Sequence, residues 1–321
     1  MKVDPVLDRT VTRGVAAGTS YSVYPPQGAL ACETVVLIHG VGMNHSVWAP
    51  QIDALTQHYQ VVAYDMLGHG GSGLPTPAPT LGEYAAQLEA LLDALQIQRV
   101  HVVGHSMGAL VALEFALTHP ERALSVAALN AVYNRTPRQR AAVMSRAAML
   151  GDTPRARSSQ AGTEGSVGAG LEAGIEAGIA TGIEAGVDVT LARWFGDPVP
   201  AHLAQAANAI RALLVNVDPV GYARTYQLFA CSDDAHVGRL ADLAVPALFL
   251  TGECDANSNP AMSHAMAAAA PLGHATIIAN ERHMMNVTNP AQVNERLLEF
   301  LLGTSKAGVN GEPRSDIRRM Q

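Results

Sequence analysis

With 321 residues, 48% apolar and 15% charged, the chain can bury a large core, and its length suits one α/β core with an insertion rather than a disordered chain. A net charge of −7 with no basic run in the body makes nucleic acid and anionic membrane surfaces poor partners, while a small anionic substrate met by one local arginine stays open. Cys32, Cys231 and Cys254 are far apart and lack metal-ligand spacing, residues 1–12 lack the apolar segment of a signal peptide, and no apolar stretch is long enough to span a bilayer, so a cytoplasmic protein with reduced thiols is expected.

Residues 10–15 and 20–23 read as an antiparallel hairpin at a sheet edge. Short apolar runs, several of them rich in β-branched residues, then recur at 35–38, 61–64, 100–103, 124–129, 247–250 and 275–278, separated by helical patterns. That alternation predicts a mostly parallel, twisted sheet with helices on both faces. Apolar residues at 81, 84, 85, 88, 91, 92 and 95 give one crossover helix; 107–119 gives another, ended by Pro120, and a last helix starts near Pro290.

Strand logic stops after Leu129 and resumes at Pro246. The expected organisation is a core of residues 1–131 and 238–302, a helical cap over 132–237 inserted into it, and a disordered polar tail over 303–321. Within the cap, Gly170, Gly174, Gly178, Gly182 and Gly186 recur every fourth residue. Glu172, Glu176 and Glu184 in the same beat rule out a membrane dimerisation face. Because each glycine costs a helix about 1 kcal/mol relative to alanine, residues of about 161–190 read as a low-complexity insertion and at best a weak helix, with a mobile gate as the alternative.

Gly104-His105-Ser106-Met107-Gly108 follows an apolar strand and opens a helix. A sharp strand-to-helix turn strains the serine backbone and lifts its hydroxyl to a helix N-terminus, where N–H groups favour a developing anion. Ser106 is therefore the expected nucleophile. Where such an elbow occurs, one oxyanion donor is the N–H after the nucleophile, here Met107, and the second lies in the loop after the third strand, here Val41 of His39-Gly40-Val41-Gly42. His39 itself is expected to hold that loop rather than carry protons.

A serine needs a base, and the base an orienting acid. The chain order Ser, Asp, His that accompanies such elbows is met by Asp255, in a loop after one strand, and His283, in the loop before the last helix. Glu253 shares the first loop but should point elsewhere; His274 lies at the wrong end of its strand, His264 in a helix, and His202 and His236 on the solvent side of the cap. The run Gly68-His69-Gly70-Gly71-Ser72-Gly73 imitates a dinucleotide fingerprint, but it leads into Leu74-Pro75-Thr76-Pro77-Ala78-Pro79, which opens no helix. No metal or organic cofactor is implied.

On these residues the chain resembles the α/β-hydrolase superfamily: the His-Gly turn, the Asp65-to-Ser72 loop, the Gly-His-Ser-Met-Gly elbow, the Gly-x-x-Asp loop and a histidine seven residues before Pro290. Arg193-Trp194-Phe195 and Asp218-Pro219-Val220-Gly221-Tyr222 are similar to segments of 3-oxoadipate enol-lactonases and carboxylesterase-like relatives. It departs from them in the glycine repeat and in Glu281-Arg282, where relatives carry Ala-Gly. The resemblance implies a serine hydrolase that cleaves a small ester, lactone or amide of aromatic or heterocyclic catabolism through an acyl-enzyme, as a monomer or homodimer. Trp194 and His45 are the expected pocket-lining side chains, Trp194 alternatively packing cap on core. A C–C hydrolase of vinylogous diketones is the alternative with the same triad; a noncatalytic receptor on this fold is the alternative of another class, against which the intact Ser, His and Asp set argues.

Overall fold

A computed structural model of the chain describes residues 10–28, 33–151 and 168–309. The sequence expectations for residues 1–9, Cys32, the first glycine-rich residues (161–167) and the tail beyond 309 lie outside them.

Eight strands form one sheet: β1 (Thr12–Ala16), β2 (Thr19–Tyr24), β3 (Thr34–Ile38), β4 (Gln60–Tyr64), β5 (Val100–His105), β6 (Ala123–Leu129), β7 (Ala247–Gly252) and β8 (Gly273–Ile278). Their order is β1-β2-β4-β3-β5-β6-β7-β8, antiparallel where β2 meets β1 and β4 and parallel from β4 to β8. The central strands are continuous apolar runs because both faces are covered; β3 and β5 are buried along their whole length.

Helices α1 (Ala49–Thr56), α2 (Leu81–Ala94) and α3 (Met107–Thr118) come before β6. Thr80 caps α2 by accepting from the Glu83 N–H, and Leu81, Tyr84, Ala85, Leu88, Leu91 and Leu92 make its buried stripe. Residues 107–116 of α3 are buried all round, so this helix shows no polar face. Between β6 and β7 lie α4 (Pro137–Gly151), α5 (Gly168–Phe195), α6 (Ala204–Val215) and α7 (Pro219–Cys231); α8 (Pro260–Ala269), the single turn α9 (Met285–Thr288) and α10 (Pro290–Val309) complete the described helices.

Two expectations are corrected and one is sharpened. Where a low-complexity insertion and at best a weak helix was expected over residues of about 161–190, the described residues from 168 on belong to a 28-residue helix. Ile183, Val187 and Leu191 form a buried i, i+4, i+8 stripe on α5, and tertiary burial of that stripe outweighs the propensity cost of the glycines. The last helix runs on through 303–309, where a disordered tail was expected; the Ser305 hydroxyl ties it to Glu33 and to the Leu301 carbonyl. His236 is buried rather than solvent-facing, its Nε2 3.2 Å from Glu114 beside Arg239.

Register places the chemistry. Ile38 pairs with Gly104, His105 with Leu129, Leu129 with Leu250, and Gly252 with Ile278, so five parallel strands end level. The loops carrying Gly40, Ser106, Asn130, Asp255 and His283 therefore emerge along one carboxyl edge.

Candidate active site

Ser106 caps α3 with φ 56° and ψ −116°, a backbone that side chains rarely adopt. Two glycines allow it. A Cβ on Gly104 would stand 2.0 Å from the Gly108 carbonyl oxygen, and one on Gly108 2.3 Å from that of Ile38. The serine is 7% exposed, at the positive end of the twelve-residue helix α3.

His283 and Asp255 meet as the chain order predicts: imidazole Nδ1 lies 2.8 Å from Asp255 Oδ2. Asp255 is a buried carboxylate in a full cradle. Oδ2 also accepts from Asn130 Nδ2 and the Ser258 hydroxyl, and Oδ1 from the Asn257 N–H. Burial alone would raise its pKa, but the adjacent His283 and the hydrogen bonds from His283, Ser258 and Asn130 hold it well below the usual carboxylate range. Asp255 is thus an anion fit to fix the Nδ1–H tautomer. The two loops touch because Gly252 has no side chain: a Cβ there would lie 2.4 Å from the Glu281 carbonyl oxygen, to which the Cys254 N–H hydrogen-bonds.

His105, the variable residue of the elbow, contributes as well. Its Nε2–H donates to the His283 carbonyl at 2.8 Å, and burial, with the neighbouring His283, lowers its pKa to about 3. A neutral imidazole so placed pins the backbone of the His283 loop to the strand that carries Ser106.

Val41 lines the same cavity as Ser106 and His283, and Met107 is the first residue of α3. The loop bearing Val41 is braced by two buried neutral histidines, as expected of His39. His39 Nε2 accepts from the Met66 N–H, and His69 Nε2 from the Gly42 N–H. Their Nδ1 atoms face the carbonyls of Gly40 and Leu67, and burial takes their pKa values to about 4 and about 3.

His45 does not join the site. Its Nδ1 is 2.7 Å from Asp65 Oδ1 and its Nε2 3.3 Å from the Ser22 hydroxyl, and it is not among the residues lining the Ser106 cavity. The strong acceptor left at the end of β4 captures the ring. Ser22, His45 and Asp65 mimic a triad, but Ser22 is wholly buried within β2, where no carbonyl can approach. The glycine-rich loop after β4 wraps the same carboxylate: the Gly71 N–H donates to Asp65 Oδ2, and a Cβ on Gly70 would stand 2.1 Å from that oxygen.

The cavity at Ser106 is small, about 40 Å³, and its far wall comes from the helices between β6 and β7. Trp194 stacks on the His283 imidazole with ring centroids 5.4 Å apart, so it lines the site. Sequence reasoning missed Arg146, Arg193, Tyr222 and Tyr226, which line it too. Arg193 was signalled by its place beside Trp194; Arg146 had no sequence signal. Among the described residues neither guanidinium has a carboxylate within salt-bridge distance, Arg146 Nε donating only to the Tyr226 hydroxyl at 3.0 Å. Burial, and secondarily Arg146, pushes the Arg193 pKa below its ordinary value, yet a guanidinium stays charged. Two cations without a carboxylate partner among the described residues, in one small cavity, suit an anionic ligand. Among the described residues no group of three His, Cys, Asp or Glu side chains is placed to hold a metal ion.

Comparison with known proteins adds four observations. A family profile described as alpha/beta hydrolase fold matches residues 33–157. An (E)-2-((N-methylformamido)methylene)succinate hydrolase of Acinetobacter baylyi is 34% identical over 269 residues, covering 84% of this chain and 90% of that relative. A RutD protein of Caulobacter vibrioides, provisionally named a carbamate hydrolase, is 30% identical over 298 residues, covering 92% of this chain and 99% of its own. The crystal structure of an enol-lactonase from Burkholderia xenovorans LB400 shares the fold, with TM-score 0.72 and 24% identity over 91% of this chain and 100% of the other.

Proposed function

Because the chain belongs to the α/β-hydrolase family, we propose that it is a serine hydrolase cleaving a small, carboxylate-bearing ester, lactone or amide through an acyl-enzyme. The observation that carries this reading is that Ser106 and His283 face one cavity while a buried anionic Asp255 holds the imidazole from behind.

In the proposed cycle His283 Nε2 takes the Ser106 proton as the hydroxyl attacks the carbonyl, and Nδ1–H stays on Asp255. The Val41 and Met107 N–H groups hold the oxyanion. The imidazolium then protonates the departing oxygen or nitrogen, and water, deprotonated by the same ring, releases the acid. Trp194 lies against the ring that becomes cationic, where an aromatic face is favourable. Arg146 and Arg193 favour a substrate carboxylate. The relatives support the same chemistry: one is named for a succinate bearing an N-formyl amide, the other for a carbamate. Helices α4 to α7 act as a cap that supplies these groups, and the setting is the breakdown of aromatic or heterocyclic compounds in the cytoplasm by a monomer or homodimer. Free, exposed Cys231 and Cys254 accord with a reducing compartment.

A fluorophosphonate tests the nucleophile. The expected outcome is one adduct on Ser106, absent from Ser106→Ala, with the variant's turnover of aryl hemisuccinates down on the order of 10⁵–10⁶. Retained turnover in that variant, or labelling elsewhere only, overturns the assignment.

A further inference from the structure

The cavity at Ser106 has room for little beyond a carbonyl and the attacking hydroxyl, yet it is not closed. Arg146, Thr190, Arg193, Tyr222 and Tyr226 also line a second, larger space of about 300 Å³ between α4, α5, α6 and α7. That volume is at the lower end of small-molecule sites. Beyond the arginines, Thr190 and the two tyrosines its wall is apolar, made by Leu150, Ile183, Val187 and Leu214, and it reaches solvent at the exposed side chains of Met149 and Val189.

The glycine repeat makes this space. Gly182 and Gly186 face into it from α5; a Cβ on Gly186 would meet nothing within 4 Å, and one on Gly182 only ordinary contacts with Met149 and Leu150. No tight packing requires a glycine at either position, and each costs the helix about 1 kcal/mol relative to alanine. What the missing side chains leave is an open chamber that shares the two cations, Thr190 and both tyrosines with the reactive cavity.

We infer that this chamber is a substrate subsite for an apolar group attached beside the carboxylate. The inference rests on the hydrolase reading above and fixes the order of groups along the substrate: scissile carbonyl at Ser106, carboxylate at Arg146 and Arg193, and an alkyl or aryl substituent against α5. The substrate class is a 2-substituted dicarboxylic acid esterified, lactonised or amidated at the far carboxyl.

The 4-methyl esters of 2-alkylsuccinic acids, with the alkyl group grown from methyl to hexyl, probe this order, hydrolysis being followed by proton release. For the native protein kcat/KM rises with each methylene by about threefold to fourfold until the chamber is full. Gly186→Leu and, one turn earlier, Gly182→Leu fill the chamber and flatten the series. Gly186→Ala strengthens the helix, leaves most of the volume and keeps the slope. A native series that is flat or falls with chain length, or Leu variants that keep the native slope, overturns the inference. So does phosphonate labelling of Ser106 without turnover of any member, which leaves the nucleophile standing; absence of both labelling and turnover removes the hydrolase reading itself.

Discussion

Three donors converge on Asp255 Oδ2, from His283, Asn130 and Ser258, and a fourth from the Asn257 backbone reaches Oδ1. An anion satisfies all four; an amide cannot. In Asp255→Asn the NH2 group faces either the Oδ2 donors or the Asn257 N–H, and the imidazole is free to take the wrong tautomer. The expected result is a fall in kcat on the order of 10⁴, with a loss of stability of about 1–3 kcal/mol from the mismatched buried donors. Steady-state kinetics paired with urea denaturation measures both. A variant within tenfold of the parent rate would mean that His283 needs no acid behind it. Asn130, at φ 51° just past the end of β6, and His105 belong to the same support; Asn130 stands in no motif, and His105 fills the position that the elbow motif leaves open.

At the scale of elements, the Asp218-Pro219-Val220-Gly221-Tyr222 stretch has a physical explanation in the docking of α7. Asp218 caps the helix by accepting from the Gly221 N–H, and Pro219 occupies its first turn, where the missing donor is harmless. Gly221 packs directly on Gly68 of the loop after β4: a Cβ there would lie 2.2 Å from the Gly68 oxygen and 2.4 Å from its Cα. Both obstacles are backbone, so neither can rotate away. Gly221→Ala should therefore lift the start of α7, costing about 1–3 kcal/mol as overpacking does, and should raise KM because Tyr222 moves with it. An unchanged melting temperature together with an unchanged KM would show that this contact does not hold α7 in place.

The strands and the elbow were legible because their signals are local. Short apolar runs bounded by turn residues mark β3 to β8, and Gly104, Ser106 and Gly108 carry a steric requirement that any sequence must meet. Helix α5 read as weak at best because its support is a buried stripe, set by packing partners distant in the chain, that no propensity records. His45 was misplaced for a similar reason: being in the right loop does not reveal that an anion from β4 lies closer than the pocket. Arg146 lies on α4, far in sequence from every motif, and only the packing of α4 against α5 and α7 brings it to the cavity.

For the whole molecule, the same histidines that order the site make it sensitive to acid. His39, His69 and His105 are buried and neutral, with pKa values lowered mainly by burial from 6.5 to about 4, about 3 and about 3. Below pH 6.5 the unfolded chain takes up protons on these rings while the folded chain does not, so stability falls as pH falls, and it goes on falling until pH reaches the folded values. Each ring contributes about 1.4 kcal/mol per pH unit in that window, and three together about 4 kcal/mol. Glu114, held at about 2 by His236 and Arg239 against the opposing effect of burial, adds a loss of the same sign below its ordinary value of 4.5. Two pH units below 6.5 the loss amounts to about 8 kcal/mol, which exceeds a stability at the low end of the ordinary range of about 5–15 kcal/mol and takes about half of one at the high end. Urea midpoints measured at pH 7.5, 6.5, 5.5 and 4.5 should be level across the first interval and fall ever more steeply afterwards. A midpoint that stayed level down to pH 4.5 would mean that these rings are protonated inside the fold, and the neutral braces assigned to the Val41 loop and to the His283 carbonyl would have to be abandoned.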